Sequence, residues 1–391
     1  MNYKNNVSVI AKEQCCGCHA CYNICPSNAV EMIMDSEGFL YPKVSIEKCV
    51  NCGKCMKSCP GIKSPEINPL DKAYACFAKD REEHMSSSSG GLFAILARQI
   101  LKENGVICGA AFDNSMQVNH IITDSSIGLD KIKKTKYVQS IIGQVYSQIE
   151  KILKTRRIVL FSGTPCQVAG LKLFLGKDYD NLVCIDLICH GVPSPKVFSR
   201  YLSEKSESHK IVAMTFRNKK NGVHNSILDY WLDNGEKISE TYEESPYIKG
   251  FNQNFFIRPS CFNCKYKGIK RCSDITIGDF WGIDEFHPKF SDSYGTSAVI
   301  LHSEKGIQMF ERIKDQLAYV EATSHEVGVW NSCLYKPVDK NPKRKDFFEK
   351  WNNKTITDTV LELQVSNQDS GQLAKGSSSF LKKIKSLFYR R

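Results

Sequence analysis

The chain has 391 residues, of which 42 % are hydrophobic and 24 % charged, and it contains 18 cysteines. This composition supports a packed core, and the length exceeds that of a ferredoxin alone, so we expect two or three domains. No apolar run approaches the ~18 residues of a membrane span, and the N-terminus has no apolar signal segment, so we expect a cytoplasmic protein in a reducing cell. The formal charge of +11 comes with no nucleic-acid-binding motif, which argues against a nucleic-acid partner.

Residues 15–60 contain the run C-x-x-C-x-x-C-x-x-x-C-P twice, and this pattern is typical of a bacterial two-cluster ferredoxin. Three closely spaced thiolates can surround one [4Fe–4S] cube, while the fourth cysteine reaches the other cube. The first cluster is assigned to Cys15, Cys18, Cys21 and Cys59, and the second to Cys49, Cys52, Cys55 and Cys25. Zinc usually takes pairs of cysteines, and disulfides fit poorly with a chain that lacks a secretory signal. We predict a ferredoxin domain at residues 1–65.

The sequence pattern changes after a linker at residues 61–72. Apolar runs and helical stripes then alternate. A helix is predicted from Leu92 to Gly105, and strands at 74–77, 106–112, 156–161 and 181–189.

The helix that follows the strand at 156–161 has the strongest local signals. Thr164 is expected as its N-cap, Pro165 occupies its first position, and Gly176 ends it. A turn and another helix follow the strand at 181–189. The order strand, helix, strand, helix predicts a parallel sheet with right-handed crossovers.

Residues 211–240 show the pattern of an antiparallel β addition, and a helix is expected near 305–317. Residues 341–391 are predicted to form a basic C-terminal tail. Near its end, apolar residues recur at helical spacing between basic ones: Phe380, Leu381, Ile384, Leu387 and Phe388. Two interpretations stay open, an amphipathic helix in peripheral contact with the acidic inner membrane surface, or a basic tail that is partly disordered or packs on the domain.

Four further cysteines predict a third [4Fe–4S] cluster. Cys166 and Cys189 each follow a predicted parallel strand, and ligands bind at the carboxyl ends of such strands. The C-x-x-C pair Cys261 and Cys264 could complete the set, with Cys272 as a substitute for any one of the four. We expect the helix dipole to lower the pKa of Cys166, which follows Pro165 at a helix N-terminus. Single cysteines in apolar strands are assigned to the core: Cys76, Cys108 and Cys184.

A serine- and glycine-rich turn at residues 86–91 precedes the helix from Leu92. Glycines allow close approach of a pyrophosphate, and a helix N-terminus offers free N–H groups, so this turn could hold a flavin. A plain helix cap is the alternative. A flavin would suit an iron–sulfur chain because it exchanges single electrons for pairs.

The chain resembles the coenzyme F420 hydrogenase/dehydrogenase β-subunit family, in its bacterial branch with an N-terminal two-cluster ferredoxin domain. The resemblance covers residues 10–335, through SSSSGGLFAILARQIL, KYVQSIIG, VLFSGTPCQVAGLKLFLG, LICHGVPSPKVF, RPSCFNCKYK and SDITIGDFWGI. It implies an α/β domain with a mixed sheet at residues 66–340 that binds FAD and one [4Fe–4S] cluster. The expected fold class is therefore α+β for the ferredoxin domain and α/β for the rest.

The resemblance also implies roles for individual residues. The motif cysteines Cys166, Cys189, Cys261 and Cys264 would bind the third cluster. The expected FAD site comprises Ser88, Gly90, Gly91, Lys136, Tyr137, Gln139 and Ser140. Asp279 and Trp281 are placed either in the flavin pocket or in the core. His190 is a candidate catalytic acid at the flavin edge, with a structural role in the HGVPSP turn as the alternative.

The leading functional hypothesis is an iron–sulfur flavin oxidoreductase. Electrons would pass from a reduced ferredoxin to the first cluster, then to the second, the third and FAD. The final acceptor would be F420-like, a quinone or a biosynthetic intermediate. No nickel motif of a hydrogenase large subunit is present, so hydrogen activation is not expected of this chain. The alternative is a non-catalytic iron–sulfur adaptor subunit without flavin. A regulatory role is disfavoured because no DNA-reading helix pair is recognised.

Overall fold

The structure, a computed structural model, describes residues 5–206 and 208–365. The ferredoxin domain consists of two short helices and an antiparallel hairpin: α1 (Ala20–Ile24), β1 (Val30–Met34), β2 (Leu40–Val44) and α2 (Lys54–Lys57). The helices lie within the first and second cysteine runs, and the hairpin lies between them in sequence. Val7 and Val30 pack around the cysteines in a small core of their own.

The second domain is built on two sheets. The strands are β3 (Lys72–Ala78), β4 (Val106–Phe112), β5 (Val118–Thr123), β6 (Val159–Gly163), β7 (Leu182–Leu187), β8 (Ile211–Asn218), β9 (Ile227–Leu232), β10 (Lys237–Thr241), β11 (Ile275–Asp279), β12 (Ser297–Leu301) and β13 (Leu317–Ala322). The larger sheet has the order β13-β3-β12-β11-β7-β6-β4-β5, and the smaller has the order β10-β9-β8.

Helices cover the sheets and extend past the predicted end of the domain. They are α3 (Arg81–Ser86), α4 (Leu92–Lys102), α5 (Ser126–Ile132), α6 (Val145–Lys154), α7 (Pro165–Leu175), α8 (Pro195–Lys205), α9 (Pro246–Asn252), α10 (Ile283–Phe286), α11 (Glu304–Glu311), α12 (Ser324–Val329), α13 (Ser332–Tyr335), α14 (Arg344–Lys350) and α15 (Ile356–Val365). Within the described part of the chain, no helix is long and apolar enough to cross a membrane.

The middle of the large sheet confirms the predicted strand–helix–strand order. Strands β4, β6, β7 and β11 run parallel to one another, while the outer strands pair antiparallel, so the sheet is mixed as expected. Helix α7 begins at Thr164 with a capping box to Gln167, has Pro165 in its first turn, and ends at Gly176. These signals place the start of α7 at the carboxyl end of β6, next to the end of β7.

Three regions differ from the sequence-based expectation. Strands β8, β9 and β10 form a separate sheet rather than an extension of the large one. The helix predicted near 305–317 ends at Glu311, because Leu317 begins the edge strand β13. The predicted tail from residue 341 begins instead with α14 and α15, where Phe347 and Val360 are fully buried in the core. The apolar repeat at residues 380–388 lies outside the described residues.

The ferredoxin domain is held on the second domain by hydrogen bonds from several elements. Asn23 of α1 donates to the carbonyl oxygen of Gly143 at 2.8 Å and accepts from the Ser147 hydroxyl at 2.7 Å. In the hairpin turn, the Glu37 carboxylate pairs with Arg344 of α14 at 2.5 Å. These contacts place the first cysteine run against the carboxyl ends of β6 and β7.

Candidate functional site

The four cysteines assigned to the first cluster lie around one small cavity. Cys15, Cys18, Cys21 and Cys59 all line it, and each is buried. Burial and the nearby Cys15 thiol raise the pKa of Cys21, and burial raises the pKa of Cys59 to about 11. Iron binding displaces such thiol protons, so a buried group of four sulfurs is suited to a cluster.

The cysteines assigned to the second cluster lie closer to the surface. Burial raises the pKa of Cys55, and the neighbouring thiols of Cys25 and Cys52 add to this shift. Cys52 is exposed, and Cys49 and Cys25 are half-buried. The backbone N–H of Ala29 donates to Cys25 Sγ at 3.2 Å, a contact that would stabilise a bound thiolate. The second site is therefore the more accessible of the two.

A separate small cavity, called the third cavity because it is lined by the cysteines predicted for the third cluster, brings together the dispersed cysteines. Cys166 lies in the first turn of α7, and Cys189 follows β7, whose neighbour in the sheet is β6. Cys261 lies in the short 3₁₀ helix Pro259–Asn263, and Cys264 directly follows it. All four line this cavity, whereas Cys272 lies in the core beside Cys184.

The pKa expected for Cys166 was wrong in direction. Its pKa is raised well above the ordinary value by a hydrogen bond with Cys16 and by burial, and these effects outweigh the helix dipole. Burial likewise raises the pKa of Cys261 to about 12. The assignment of the strand cysteines to the core is confirmed, since each is 0 % exposed: Cys76, Cys108 and Cys184.

No three His, Cys, Asp or Glu side chains among residues 5–206 and 208–365 are arranged to hold a single metal ion. The thiols of a [4Fe–4S] site surround a cube of eight atoms rather than one ion. Two of the predicted four-cysteine groups each line one cavity, and their assignment to clusters stays a prediction.

Cys16 is the residue that sequence reasoning missed. It lines both cavities, and its thiol hydrogen-bonds with Cys166 on one side and Cys18 on the other. The first bond lowers its pKa, but the second bond and burial raise the pKa above its ordinary value overall. The only signal in the sequence is the pair Cys15–Cys16, in which the second cysteine is outside the repeated motif.

His190 lines the third cavity with both ring nitrogens engaged. Nε2 lies 2.7 Å from Asn254 Oδ1, and Nδ1 lies 3.6 Å from Cys333 Sγ. Burial lowers its pKa, which keeps the ring neutral at pH 7. Lys267 hydrogen-bonds the carbonyl oxygen of Cys189 in the same wall. These contacts favour the structural role considered for His190.

The serine turn lies between two lysines. Lys133 Nζ is 3.2 Å from Ser86 Oγ, and Lys219 Nζ donates to the carbonyl oxygen of Ser89 at 2.6 Å. Ser88 Oγ accepts from the backbone N–H of Thr135 at 2.7 Å. Gly90 is a packing residue, since a Cβ there would stand 2.3 Å from the Cys76 carbonyl oxygen. Gly91 directly precedes α4 with a φ of 91°.

Asp279 and Trp281 lie near this turn, at the end of β11. Asp279 pairs with Arg217 at 2.6 Å, and the guanidinium is 6.0 Å from the Trp281 ring centre. Two buried atoms there have no hydrogen-bond partner among the described residues, Asp279 Oδ1 and Thr296 Oγ1. The backbone oxygen of Thr296 accepts from the hydroxyl of Ser89, so both groups belong to the surroundings of the serine turn.

The KYVQS segment is divided between different surroundings. Lys136 Nζ donates to carbonyl oxygens at the end of α5, at 2.7 to 3.1 Å, and burial lowers its pKa to about 7. The Tyr137 ring packs on Phe216 and Phe251. Gln139 and Ser140 point to the cysteine sites instead.

Two hydrogen bonds direct Gln139 and Ser140 toward the cysteine sites. Gln139 Nε2 donates to the Cys16 carbonyl oxygen at 3.0 Å, and Ser140 Oγ accepts from Gln167 at 3.0 Å. Gln139 also lines the third cavity. The structure thus brings Ser88, Gly91, Asp279 and Trp281 to one region and places Gln139 and Ser140 in another.

Comparison with known proteins agrees with these two parts. Residues 14–61 match the 4Fe-4S dicluster domain, and residues 156–326 match the family described as the C terminus of the coenzyme F420 hydrogenase/dehydrogenase beta subunit. The F subunit of the F(420)H(2) dehydrogenase of Methanosarcina mazei is 22 % identical over 328 residues, which are 80 % of this chain and 86 % of that protein. Residues 156–326 thus carry a domain of the coenzyme F420 hydrogenase/dehydrogenase β-subunit family.

Two further proteins are similar to this chain. An uncharacterized polyferredoxin-like protein of Methanocaldococcus jannaschii is 37 % identical over 70 residues, 16 % of this chain and 42 % of that protein. A chain of the F420-reducing [NiFe] hydrogenase complex from Methanosarcina barkeri is 14 % identical, with a TM-score of 0.46, over 80 % of this chain and 97 % of that one. The dicluster match makes this chain an iron–sulfur electron-transfer protein.

Proposed function

We propose that this chain is an iron–sulfur flavin oxidoreductase that takes electrons from a reduced ferredoxin and supplies them to a two-electron acceptor. The observation that carries the proposal is the four-cysteine cavity, which shares Cys16 with the cavity of the first ferredoxin site. Cys166, Cys189, Cys261 and Cys264 would hold a third [4Fe–4S] cluster there. The clusters, when bound, each exchange one electron at a time.

The arrangement of the sites favours an order of electron transfer that differs from the one expected from the sequence. The third cavity adjoins the first site through Cys16, so the second site does not lie between them along that contact. Cys52 makes the second site the exposed one. We therefore assign electron entry to the second site, which faces solvent, and place the first site between it and the third.

The residues near the serine turn fit an FAD pyrophosphate. Lys219 is 1 % exposed, its acceptors are the carbonyl oxygens of His84 and Ser89, and burial lowers its pKa to about 7. A phosphate would give this buried cation an anionic partner. Together with Lys133 and the start of α4, Lys219 would hold the cofactor. FAD, when bound, would supply the exchange between single electrons and a pair.

The third cluster is tested by the iron content of Cys166→Ser, prepared as the full chain and reconstituted anaerobically. We expect about eight iron atoms per chain, against about twelve in the unaltered protein, because the dicluster domain keeps both of its sites. The matched control is Cys184→Ser, a buried cysteine outside the cavity, which should keep about twelve. Unchanged iron in Cys166→Ser would exclude the third cluster.

FAD is tested by acid release from protein reconstituted with the flavin present. We expect close to one FAD per chain, and less in Lys219→Gln. The adjacent exposed Lys220→Gln is the matched control and should keep the flavin. A value near zero in the unaltered protein would favour the alternative of a non-catalytic adaptor that relays electrons to a partner enzyme.

The acceptor is proposed by class. The name of the Methanosarcina mazei relative includes F(420)H(2), so a deazaflavin of the F420 type is the first acceptor to assay, ahead of a quinone or a biosynthetic intermediate. Anaerobic spectroscopy would follow deazaflavin absorbance with reduced ferredoxin as donor. The reverse assay, with reduced deazaflavin, would decide the direction of electron flow.

Contact with the inner membrane surface through the C-terminal tail stays a prediction, as does a cytoplasmic location. The tail can be tested by deleting residues 376–391 and comparing binding to anionic vesicles. Equal binding by both proteins would rule out the tail as an anchor.

A further inference from the structure

Arg258 is a fully buried arginine between the first ferredoxin site and the third cavity. Its exposed fraction is 0 %, and it lines the third cavity. Nε donates to the Cys15 carbonyl oxygen at 2.7 Å, and Nη2 to the Leu40 carbonyl oxygen at 2.9 Å. Nη2 also lies 3.7 Å from Cys15 Sγ, and Nη1 donates to Gln139 Oε1 at 3.0 Å. The guanidinium thus spans from a cluster ligand to the cavity wall.

These acceptors leave the charge of Arg258 without a carboxylate partner. They are two carbonyl oxygens, an amide oxygen and a cysteine sulfur, within the part of the chain that the structure describes. A buried charge is costly unless an opposite charge compensates it. The groups that would become anionic on iron binding are the surrounding thiols, and Arg258 interacts electrostatically with Cys15, Cys16 and Cys261.

The surroundings are shaped to admit the guanidinium. Gly17 has a φ of +66°, and a Cβ there would stand 2.8 Å from Arg258 Nη1. On another side, the guanidinium lies 4.4 Å from the centre of the Tyr41 ring and 5.3 Å from that of Phe39. Aromatic faces attract a cation. The cysteine loop, the hairpin and the second domain therefore all contribute to one enclosed cation site.

We propose that Arg258 is a positioning residue that raises the reduction potentials of the first and third clusters together. Reduction of either cluster adds one negative charge beside the same cation, which stabilises the reduced form. The second cluster shares none of these contacts and is the internal reference. The inference rests on the proposed third cluster but is independent of FAD.

The test is an anaerobic redox titration followed by EPR on the reconstituted full chain. In Arg258→Gln, we expect the ratio of reduced to oxidised cluster at a fixed potential to fall about tenfold at the first and third sites, equal to about 59 mV for one electron. The second site should stay unchanged. Arg258→Lys retains the positive charge and should restore most of the ratio.

A second variant keeps Arg258 and offsets its positive charge with a carboxylate. Gln139→Glu places a carboxylate against Nη1 and should lower both ratios in the same direction, even where Arg258→Gln fails to fold. Unchanged titrations at the first site in the variants that fold, or an equal shift at the second site, would overturn the inference. Absence of a third signal in the unaltered protein would instead contradict the proposed third cluster, and the first site would still test Arg258.

Discussion

The thiol of Cys18 packs against the backbone of Gly170, where a Cβ would stand only 2.9 Å from Sγ. Gly170 lies four residues after Cys166 on α7, so both face the same side of the helix. The first ferredoxin site thus rests on the helix that carries a thiol of the third cavity. This close approach is possible because Gly170 has no side chain.

Gly170→Ala is expected to push the ferredoxin loop away from α7. The added methyl group would also stand 3.1 Å from the Tyr146 hydroxyl, so a shift away from Cys18 does not relieve the crowding. Overpacking of this kind costs about 1–3 kcal/mol, partly offset by the better helix propensity of alanine. We expect a lower thermal unfolding midpoint and an altered EPR signal of the first cluster.

The second ferredoxin cluster serves as the reference in that experiment, since none of its cysteines is among the nearest neighbours of Gly170. A normal first-cluster signal together with an unchanged unfolding midpoint would show that the loop accommodates the methyl group. Electron transfer between the first and third sites would then not depend on this contact.

The sequence identified the cysteine groups better than their relative positions. The repeated motif predicts which thiols surround each ferredoxin site, because its spacing is local. Cys166 and Cys189 could be placed on one rim because parallel strands end at the same edge. The roles of Cys16 and Arg258 could not be found this way, since their contacts join residues 123 and 243 positions apart in the sequence.

Electron entry at the second site predicts that exposed lysines there attract an acidic donor. Lys48, Lys54 and Lys57 surround the exposed Cys52, beside the exposed apolar residue Val50. A ferredoxin gains negative charge from its own cluster thiolates, so the lysines would accelerate encounter. Lys54→Glu/Lys57→Glu should slow reduction by reduced ferredoxin about tenfold at low salt, and less at high salt.

Stopped-flow absorbance would measure that rate over a series of salt concentrations. Lys102→Glu, at an exposed position at the end of α4, is the matched charge reversal and should leave the rate close to normal. If both variants slow equally, the effect comes from net charge and the second site is not the point of entry.

Arg217 and Asp279 form a buried ion pair beside the serine turn, with side chains 5 % and 17 % exposed. Asp279→Leu leaves the guanidinium without its partner, so we expect the free energy of unfolding to fall by about 3 kcal/mol. In the double variant Arg217→Met/Asp279→Leu no charge remains buried, and stability should recover in part. Anaerobic urea denaturation of the three proteins measures the difference. A double variant less stable than Asp279→Leu would show that Arg217 has another anionic partner.

Long apolar strands and well-capped helices were predictable, whereas half-buried edge strands were not. Strand β4 has the predicted bounds because its residues are mostly buried. The edge strands β5 and β13 alternate buried and accessible residues, and polar positions weaken the apolar signal that marks an inner strand. Helix α14 was missed because its charged sequence hides the few side chains that reach the core, and α15 because the region around it is rich in polar residues.

His120 predicts a loss of stability in mild acid. It is 6 % exposed, stacks on Phe161 and lies 3.0 Å from the Ser162 carbonyl oxygen, and burial lowers its pKa from 6.5 to about 4. Since the folded-state pKa is the lower one, the unfolded chain binds more protons between these values. The contribution of His120 is therefore complete above pH 6.5 and falls as the pH drops toward 4, by about 2 kcal/mol at pH 5.

Urea denaturation between pH 7.5 and 5 would measure this slope, and His120→Asn should flatten it because asparagine does not titrate. His209 is exposed and offers the matched control, His209→Asn, with an unchanged slope expected. His302 has the same direction of shift, so part of the slope should remain in His120→Asn. An identical slope in His120→Asn and in the unaltered protein would mean that His120 binds its proton equally well in the folded and the unfolded chain, which would contradict the prediction.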